Sequence, residues 1–307
     1  MKTIASGDND FLRRVWRPIF SVAALCMIPI AAHGQNIFVS NLGSANTIGE
    51  YTASGAPVKA SLITASGGPY GLALSGADLF VSYLSTGRIE EYTTSGAPVH
   101  VPLITGLGSS AGLALSGADL FVSNVGTGTI GEYTTSGAPV STSLITGLNG
   151  PFGLAVSGSD LFVSNAGTGT IGEYTTSGTP VNTSLIKGLN APFGLTVSGS
   201  DIFVTSYNTG TIGEYTTTGG LVNASLVTGL SHPEGIAVSG SDLFVVNWGT
   251  GTVGEYTTSG ATVNTALITG LTNPFAIAVT DVPEPSIYAA TLGVASLGFV
   301  MIRRRRA

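Results

Sequence analysis

The chain has 307 residues, 44 of them glycine, with only 9% charged side chains and a formal net charge of −6 at pH 7. Between residues 35 and 281 the only basic residues are Lys59, Arg88 and Lys187, so no cation cluster exists to displace counterions from a phosphate backbone, and nucleic-acid binding is excluded. Regular spacing of Leu, Ile, Val and Phe through a Gly-, Ser- and Thr-rich sequence argues for short strands joined by tight turns rather than for disorder.

At the N-terminus, Arg13, Arg14 and Arg17 precede a mostly apolar stretch ending at Ala32, followed by His33, Gly34 and Gln35. Basic residues, an apolar run and small residues at 32 and 34 predict a secretory signal peptide over residues 1–34, cut by signal peptidase. Cys26 is the only cysteine and leaves with that peptide, so the mature chain is expected to hold no disulfide and no cysteine metal site.

Six tyrosines then recur every 41 residues, Tyr51, Tyr92, Tyr133, Tyr174, Tyr215 and Tyr256, each preceded by glutamate. One unit reads as a strand at 153–157, a Ser-Gly-Ser-Asp turn, a strand at 161–165, a Gly-Thr-Gly loop, a strand at 170–175, a Thr-Ser-Gly turn and a fourth strand near 181–186. Four short strands in such a unit have the size of a propeller blade. The repeats begin with a second-type strand at 37–41 and end with a first-type strand at 275–280, so the two ends complement one another in a single sheet. An all-β, six-bladed propeller over residues 35–281, closed by strands from both termini, is therefore expected, and closure removes a free strand edge. The pattern resembles the NHL and gluconolactonase-like group of six-bladed propellers, with Pro233, Glu234, Gly235, Ile236, Ala237 and Val238 nearest to its usual blade opening.

The chain ends in Val282, Pro283, Glu284, Pro285 and Ser286, an uncharged run from Ile287 to Ile302, and Arg303, Arg304, Arg305 and Arg306. An apolar run of this kind enters a bilayer as a transmembrane helix, although about 20 residues span a typical hydrocarbon core, and the arginines stay on the cytoplasmic side. The three parts in this order, over 282–307, resemble the PEP-CTERM sorting signal of bacteria that make exopolysaccharide. The resemblance implies recognition by a membrane-embedded cysteine protease, an exosortase, cutting near Pro283 to Pro285, with transient membrane anchoring and then release or display at the cell surface.

Several conspicuous residues have structural readings. Gly126, Gly128 and Gly131 spell a dinucleotide fingerprint, as do their equivalents in later repeats, but they lead into a strand and not a helix, so no nucleotide site is expected. Glutamates repeated in every blade, such as Glu132 and Glu173, are too uniform for an active centre, and aspartates such as Asp160 suit the hairpin turn.

Departures from the repeat point to one face. In the column before the inner strand, Tyr70, Ala111, Phe152, Phe193, Glu234 and Phe275, the glutamate is the odd member; at the end of the second strand the column is Asn41, Tyr83, Asn124, Asn165, Ser206 and Asn247. Glu234, with His232, Tyr83, Tyr207, Trp248, Asn124, Asn165 and Asn247, forms the candidate ligand-binding set, an aromatic and amide-lined mouth suited to a neutral glycan. The alternative is that the aromatics only plug the shaft. Related gluconolactonase and streptogramin-lyase propellers carry a divalent metal and acid/base side chains at the axis; here a second carboxylate is lacking, and no metal or other cofactor is expected. The leading expectation is a secreted, non-enzymatic propeller that binds or fills an exopolysaccharide matrix; the alternative is a propeller hydrolase or lyase working at the central mouth.

Overall fold

A computed structural model describes residues 35–43 and 46–280, none of them helical. The expected signal peptide (1–34) and the sorting tail with its transmembrane run (282–307) lie outside the described residues. Six four-stranded antiparallel sheets form the blades of a closed propeller. Blades 2 to 6 cover residues 69–104, 110–145, 151–186, 192–227 and 233–268 in simple up-and-down order. Blade 1 takes its inner strand, Pro274–Val279, from the end of the repeats and its other three, Asn36–Asn41, Thr47–Thr52 and Pro57–Thr64, from the start. The junction is antiparallel, with Ile37 opposite Val279 and Val39 opposite Ile277. Thr280 and Asn36 tie its end: the Asn36 N–H donates to Thr280 Oγ1 at 2.8 Å and the Thr280 N–H to the Asn36 carbonyl at 3.0 Å. The six-bladed architecture and its terminal clasp are thus as the sequence predicts.

The blades have no core of their own; the core lies between them. In each second strand a Leu/Ile-Phe-Val triplet is buried throughout, because alternate side chains face opposite neighbours. Phe121, Ile130 and Ile145 of blade 3 pack against Leu161, Val163 and Tyr174 of blade 4, while Phe162 of blade 4 packs against Ile202, Val204 and Tyr215 of blade 5. At the closing seam Phe244, Val253 and Ile268 of blade 6 meet Ile37, Val39 and Tyr51 of blade 1. Each fully buried phenylalanine contributes about 1.5–3 kcal/mol of transfer free energy, and every blade depends on both neighbours for it. Tight hairpins make the short strands possible: Gly158 sits at φ 60°, a left-handed turn position that glycine adopts without steric penalty.

Candidate functional site

Every inner strand carries a bulge, and the bulge builds the axis. In blade 5, Pro192 pairs with Ser206 and Leu195 with Val204, so Phe193 and Gly194 share the space opposite Thr205. The Gly194 N–H, freed from the ladder, donates to Thr205 Oγ1 at 2.9 Å, and that hydroxyl donates to the Glu234 carbonyl of blade 6 at 2.7 Å. Ser164 does the same between Gly153 and Phe193, and Ser123 between Gly112 and Phe152. Neighbouring inner strands approach so closely that a Cβ on Gly153 would collide with the Phe193 carbonyl oxygen. Tyr70, Phe152, Phe193, Glu234 and Phe275, the residues just before these glycines and Ala276, line an axial cavity of ≈ 70 Å³.

Glu234 is the only ionisable carboxylate lining that cavity, and it is 5% exposed. Burial among rings pushes its carboxyl up to about 8, an effect only partly offset by a long hydrogen bond, 3.5 Å, from the Tyr70 hydroxyl. Tyr70 is itself raised well above the usual phenol range, first by burial and then by the Glu234 charge, and Tyr207 is raised by the same two causes. Both phenols therefore keep their protons at neutral pH, within the field of one carboxylate.

An arc of rings runs outward from the axis. Tyr70 lies 4.6 Å from Phe275 and 6.1 Å from Phe152; Phe152 stacks on Phe193 at 4.5 Å; Phe193 meets Tyr207 at 5.1 Å. Tyr207 in turn meets His232 at 4.6 Å and Trp248 at 6.4 Å. His232 is exposed and held at φ 50°, in the left-handed region. Ala191 and Asn273 occupy the same loop position in other blades with the same sign of φ, so this conformation belongs to the loop before the inner-strand proline and not to the histidine. Trp248 Nε1 is buried without a hydrogen-bond partner.

The structure thus brings Tyr207, His232 and Trp248 into contact and links them through Phe193 and Phe152 to Tyr70, whose hydroxyl reaches Glu234. Tyr70, outside the expected site set, proves to be the direct partner of Glu234; its place in the glutamate's own column was the available signal. The remaining expected residues lie elsewhere. Tyr83 is fully buried in blade 2 beneath the Arg88 guanidinium, 4.4 Å from its ring. Asn124 and Asn165 line clefts between blades, and Asn247 is buried at the end of its strand. The side chains end up there because the bulge turns the pre-glycine column to the axis, whereas the unbulged second strand leaves its last residue between two sheets.

A calcium cage, one form of the divalent metal that the propeller resemblance implies, does not fit these residues. Calcium takes about six to eight oxygens, while the axial cavity offers one carboxylate, and among the described residues no three His, Cys, Asp or Glu side chains come together. What the geometry does supply is one hard-to-ionise carboxylate beside one protonated phenol, Tyr70, in the axial cavity, with a second protonated phenol, Tyr207, farther out on the arc, an arrangement suited to moving a proton.

Fold and mouth together define a six-bladed propeller with one ionisable carboxylate lining its axial cavity. The chain matches the virginiamycin B lyase family over residues 20–245 and belongs to that family. No curated protein matches it. Among solved structures, a chain of the nidogen/laminin complex is similar with a TM-score of 0.71 at 19% identity, over 80% of this chain and 98% of that one. A catalytically inactive virginiamycin B lyase from Staphylococcus aureus with quinupristin gives 0.56 at 18% identity, over 73% of this chain and 78% of that one. A streptogramin B lyase gives 0.57 at 18%, over 78% and 91%. At such identities the structural likeness speaks for the fold alone. Membership of the lyase family overturns the expectation of a non-enzymatic protein, which had rested on the scarcity of histidines and carboxylates at the mouth.

Proposed function

We propose that this protein is a lyase that works by proton abstraction at the axial mouth, with Glu234 as the general base. The observation that carries the proposal is the lone buried carboxylate with its affinity for protons pushed up to about 8, close to the working pH that a general base requires. Family membership supports the reaction class. In the elimination, the Glu234 carboxylate takes the proton from a carbon beside a substrate carbonyl. The electron pair left behind forms a carbon–carbon double bond, and the bond from the adjacent carbon to the leaving group breaks, the leaving group departing with that bond's electron pair. Glu234 then returns its proton to solvent. Tyr70, protonated beside Glu234, turns its hydroxyl from the carboxylate to the carbonyl oxygen as charge develops there, while Tyr207 lies farther out on the arc. The cavity admits little more than the reacting group, so the body of the substrate rests on Phe193, Tyr207, His232 and Trp248; this favours an apolar, ring-bearing substrate.

Quinupristin, the compound in the similar S. aureus structure, is the first probe. Elimination adds no water, so the summed product mass equals that of the substrate, whereas hydrolysis adds one water; mass spectrometry of the products distinguishes them. Glu234→Gln is expected to lower turnover by about 10²–10⁴-fold. Unchanged turnover in that variant, or a product carrying an added water, overturns the proposal. The predicted export signal and the 282–307 tail support an extracellular setting, to be checked by the mass of the C-terminal peptide of the secreted protein.

A further inference from the structure

Away from the axis, two adjacent clefts of equivalent construction open between blades. One, of ≈ 480 Å³, lies between the loop after blade 2 and the face of blade 3; the other, of ≈ 530 Å³, lies between the loop after blade 3 and the face of blade 4. Both volumes fall in the range of about 300–1,000 Å³ that small-molecule sites occupy. No charged side chain lines either cleft. The first holds Asn124, Thr127, Thr129 and Tyr133; the second holds Asn165, Thr168, Thr170 and Tyr174. The threonine hydroxyls are paired at 2.8 Å and 2.9 Å, presenting two hydroxyls side by side.

Asn124 and Asn165 are 4% and 3% exposed, and the Oδ1 of each is buried with no hydrogen-bond partner in the protein. A buried amide left unsatisfied costs about 1–3 kcal/mol, and the same orphaned oxygen recurs at Asn41 and Asn247, so its retention down the column calls for partners from outside the chain, for which the two clefts at Asn124 and Asn165 offer room. Blade 2 shows the same wedge occupied by the chain's own side chains, although the Tyr83 hydroxyl there is itself buried without a partner. There Tyr83, Arg88 and Glu90 stand at the positions that Asn124, Thr129 and Gly131 hold in blade 3. Arg88 Nε donates to Glu90 Oε1 at 2.7 Å, its Nη2 to the Ser66 carbonyl at 2.6 Å, and the Tyr92 hydroxyl to Glu90 Oε2 at 2.7 Å. The chain's own polar groups thus fill the wedge between blades 1 and 2.

We infer that the clefts at Asn124 and Asn165 are binding sites for an uncharged, hydroxyl-rich ligand of the size of a monosaccharide unit. Hydroxyls both donate and accept, matching the amide and the threonine pairs, and the tyrosines offer an apolar surface beside them. The absence of charge in the lining disfavours anions and cations alike. The inference does not rest on the lyase reading, since neither cleft shares a residue with the axial cavity.

The test is saturation-transfer NMR on the full chain with D-glucose and N-acetylglucosamine at tens of millimolar. Two variants accompany it: Asn124→Leu/Asn165→Leu, which removes both amides at similar volume, and a second that copies the blade 2 filling into blade 4 (Asn165→Tyr, Thr170→Arg, Gly172→Glu). Transfer to at least one sugar is expected in the parent, falling at least about fivefold in the double leucine variant and about twofold when one cleft is filled, while Glu234→Gln leaves it unchanged. Melting temperature separates a filled cleft from an unfolded chain, and the leucine variant keeps the inference testable if the filled one fails to fold. No transfer in the parent, or undiminished transfer in the folded leucine variant, overturns it.

Discussion

Glu234 sets activity and stability against each other. A carboxyl whose proton affinity is pushed up to about 8 binds its proton more tightly in the folded chain than in the unfolded one, where an exposed glutamate titrates near about 4.3. Its contribution to stability is therefore greatest below pH 4.5 and is lost as pH rises towards 8, by a few kcal/mol over that window. A general base, however, must be ionised, so turnover is expected to rise over the upper part of the interval in which stability falls. Thermal melts should show the midpoint declining from pH 5 to pH 9 in the parent and a flatter decline in Glu234→Gln, with the variant gaining most at pH 9. Glu132, Glu173, Glu214 and Glu255, raised by burial and by the neighbouring aspartates, leave a residual slope of the same sign. Equal slopes in parent and variant would show that Glu234 ionises without cost in the folded chain.

At the scale of the strand, what joins blade to blade around the axis is a hydroxyl. Ser40, Ser82, Ser123, Ser164 and Thr205 each take an N–H from their own inner strand and give their proton to a carbonyl of the next, but the sixth position is Val246, at the seam where blade 6 meets blade 1. Thr205→Val leaves the bulged Gly194 N–H and the Glu234 carbonyl without this partner and is expected to cost about 1–3 kcal/mol in urea unfolding. Val246→Thr works the other way: two new hydrogen bonds at about 1 kcal/mol each outweigh one buried methyl of about 0.8 kcal/mol, for a net gain near 1 kcal/mol. A loss of stability on Val246→Thr would mean that the Gly235 N–H and the Phe275 carbonyl, although the strand carries the same bulge, do not meet a hydroxyl there as their counterparts do at the other five junctions. None of this was legible in the residue pattern. Strand positions were, because tyrosine, glutamate and turn glycines repeat every 41 residues and the side-chain period marks the strands. The bulge is a backbone event without its own residue signature, and it decides which columns reach the axis. Glu234 and the His232, Tyr207 and Trp248 cluster were found from broken repetition alone, whereas the asparagine column was assigned to the mouth for want of that bulge and lies between the sheets.

On the scale of the whole ring, stability depends on where the chain is interrupted. Each blade buries its large side chains only against two neighbours, so an open ring loses an interface of the kind formed by Phe244, Ile268, Ile37 and Val39. The repeat region avoids this by beginning and ending within one sheet, where the backbone hydrogen bonds of Pro274–Val279 with Asn36–Asn41 hold the ring shut. Because Thr280 and Asn36 already touch, a short linker between them closes the repeat domain into a circle that can be opened elsewhere. Opened between Gly158 and Ser159, in the exposed hairpin joining the first two strands of blade 4, the permuted chain again ends one strand into a sheet and keeps a clasp of three strands with one. Opened between Lys187 and Gly188, in the exposed loop between blades 4 and 5, it ends with complete sheets on both sides and only side-chain packing to close it. Both permutants expose the same number of residues at a cut, so any difference reports the clasp. The first is expected to unfold in one cooperative transition within a few degrees of the uncut domain, and the second at lower temperature with a broader transition, measured by circular dichroism. Equal melting of the two would show that packing between blades closes the ring unaided, and that the split blade serves chain export or folding order instead of equilibrium stability.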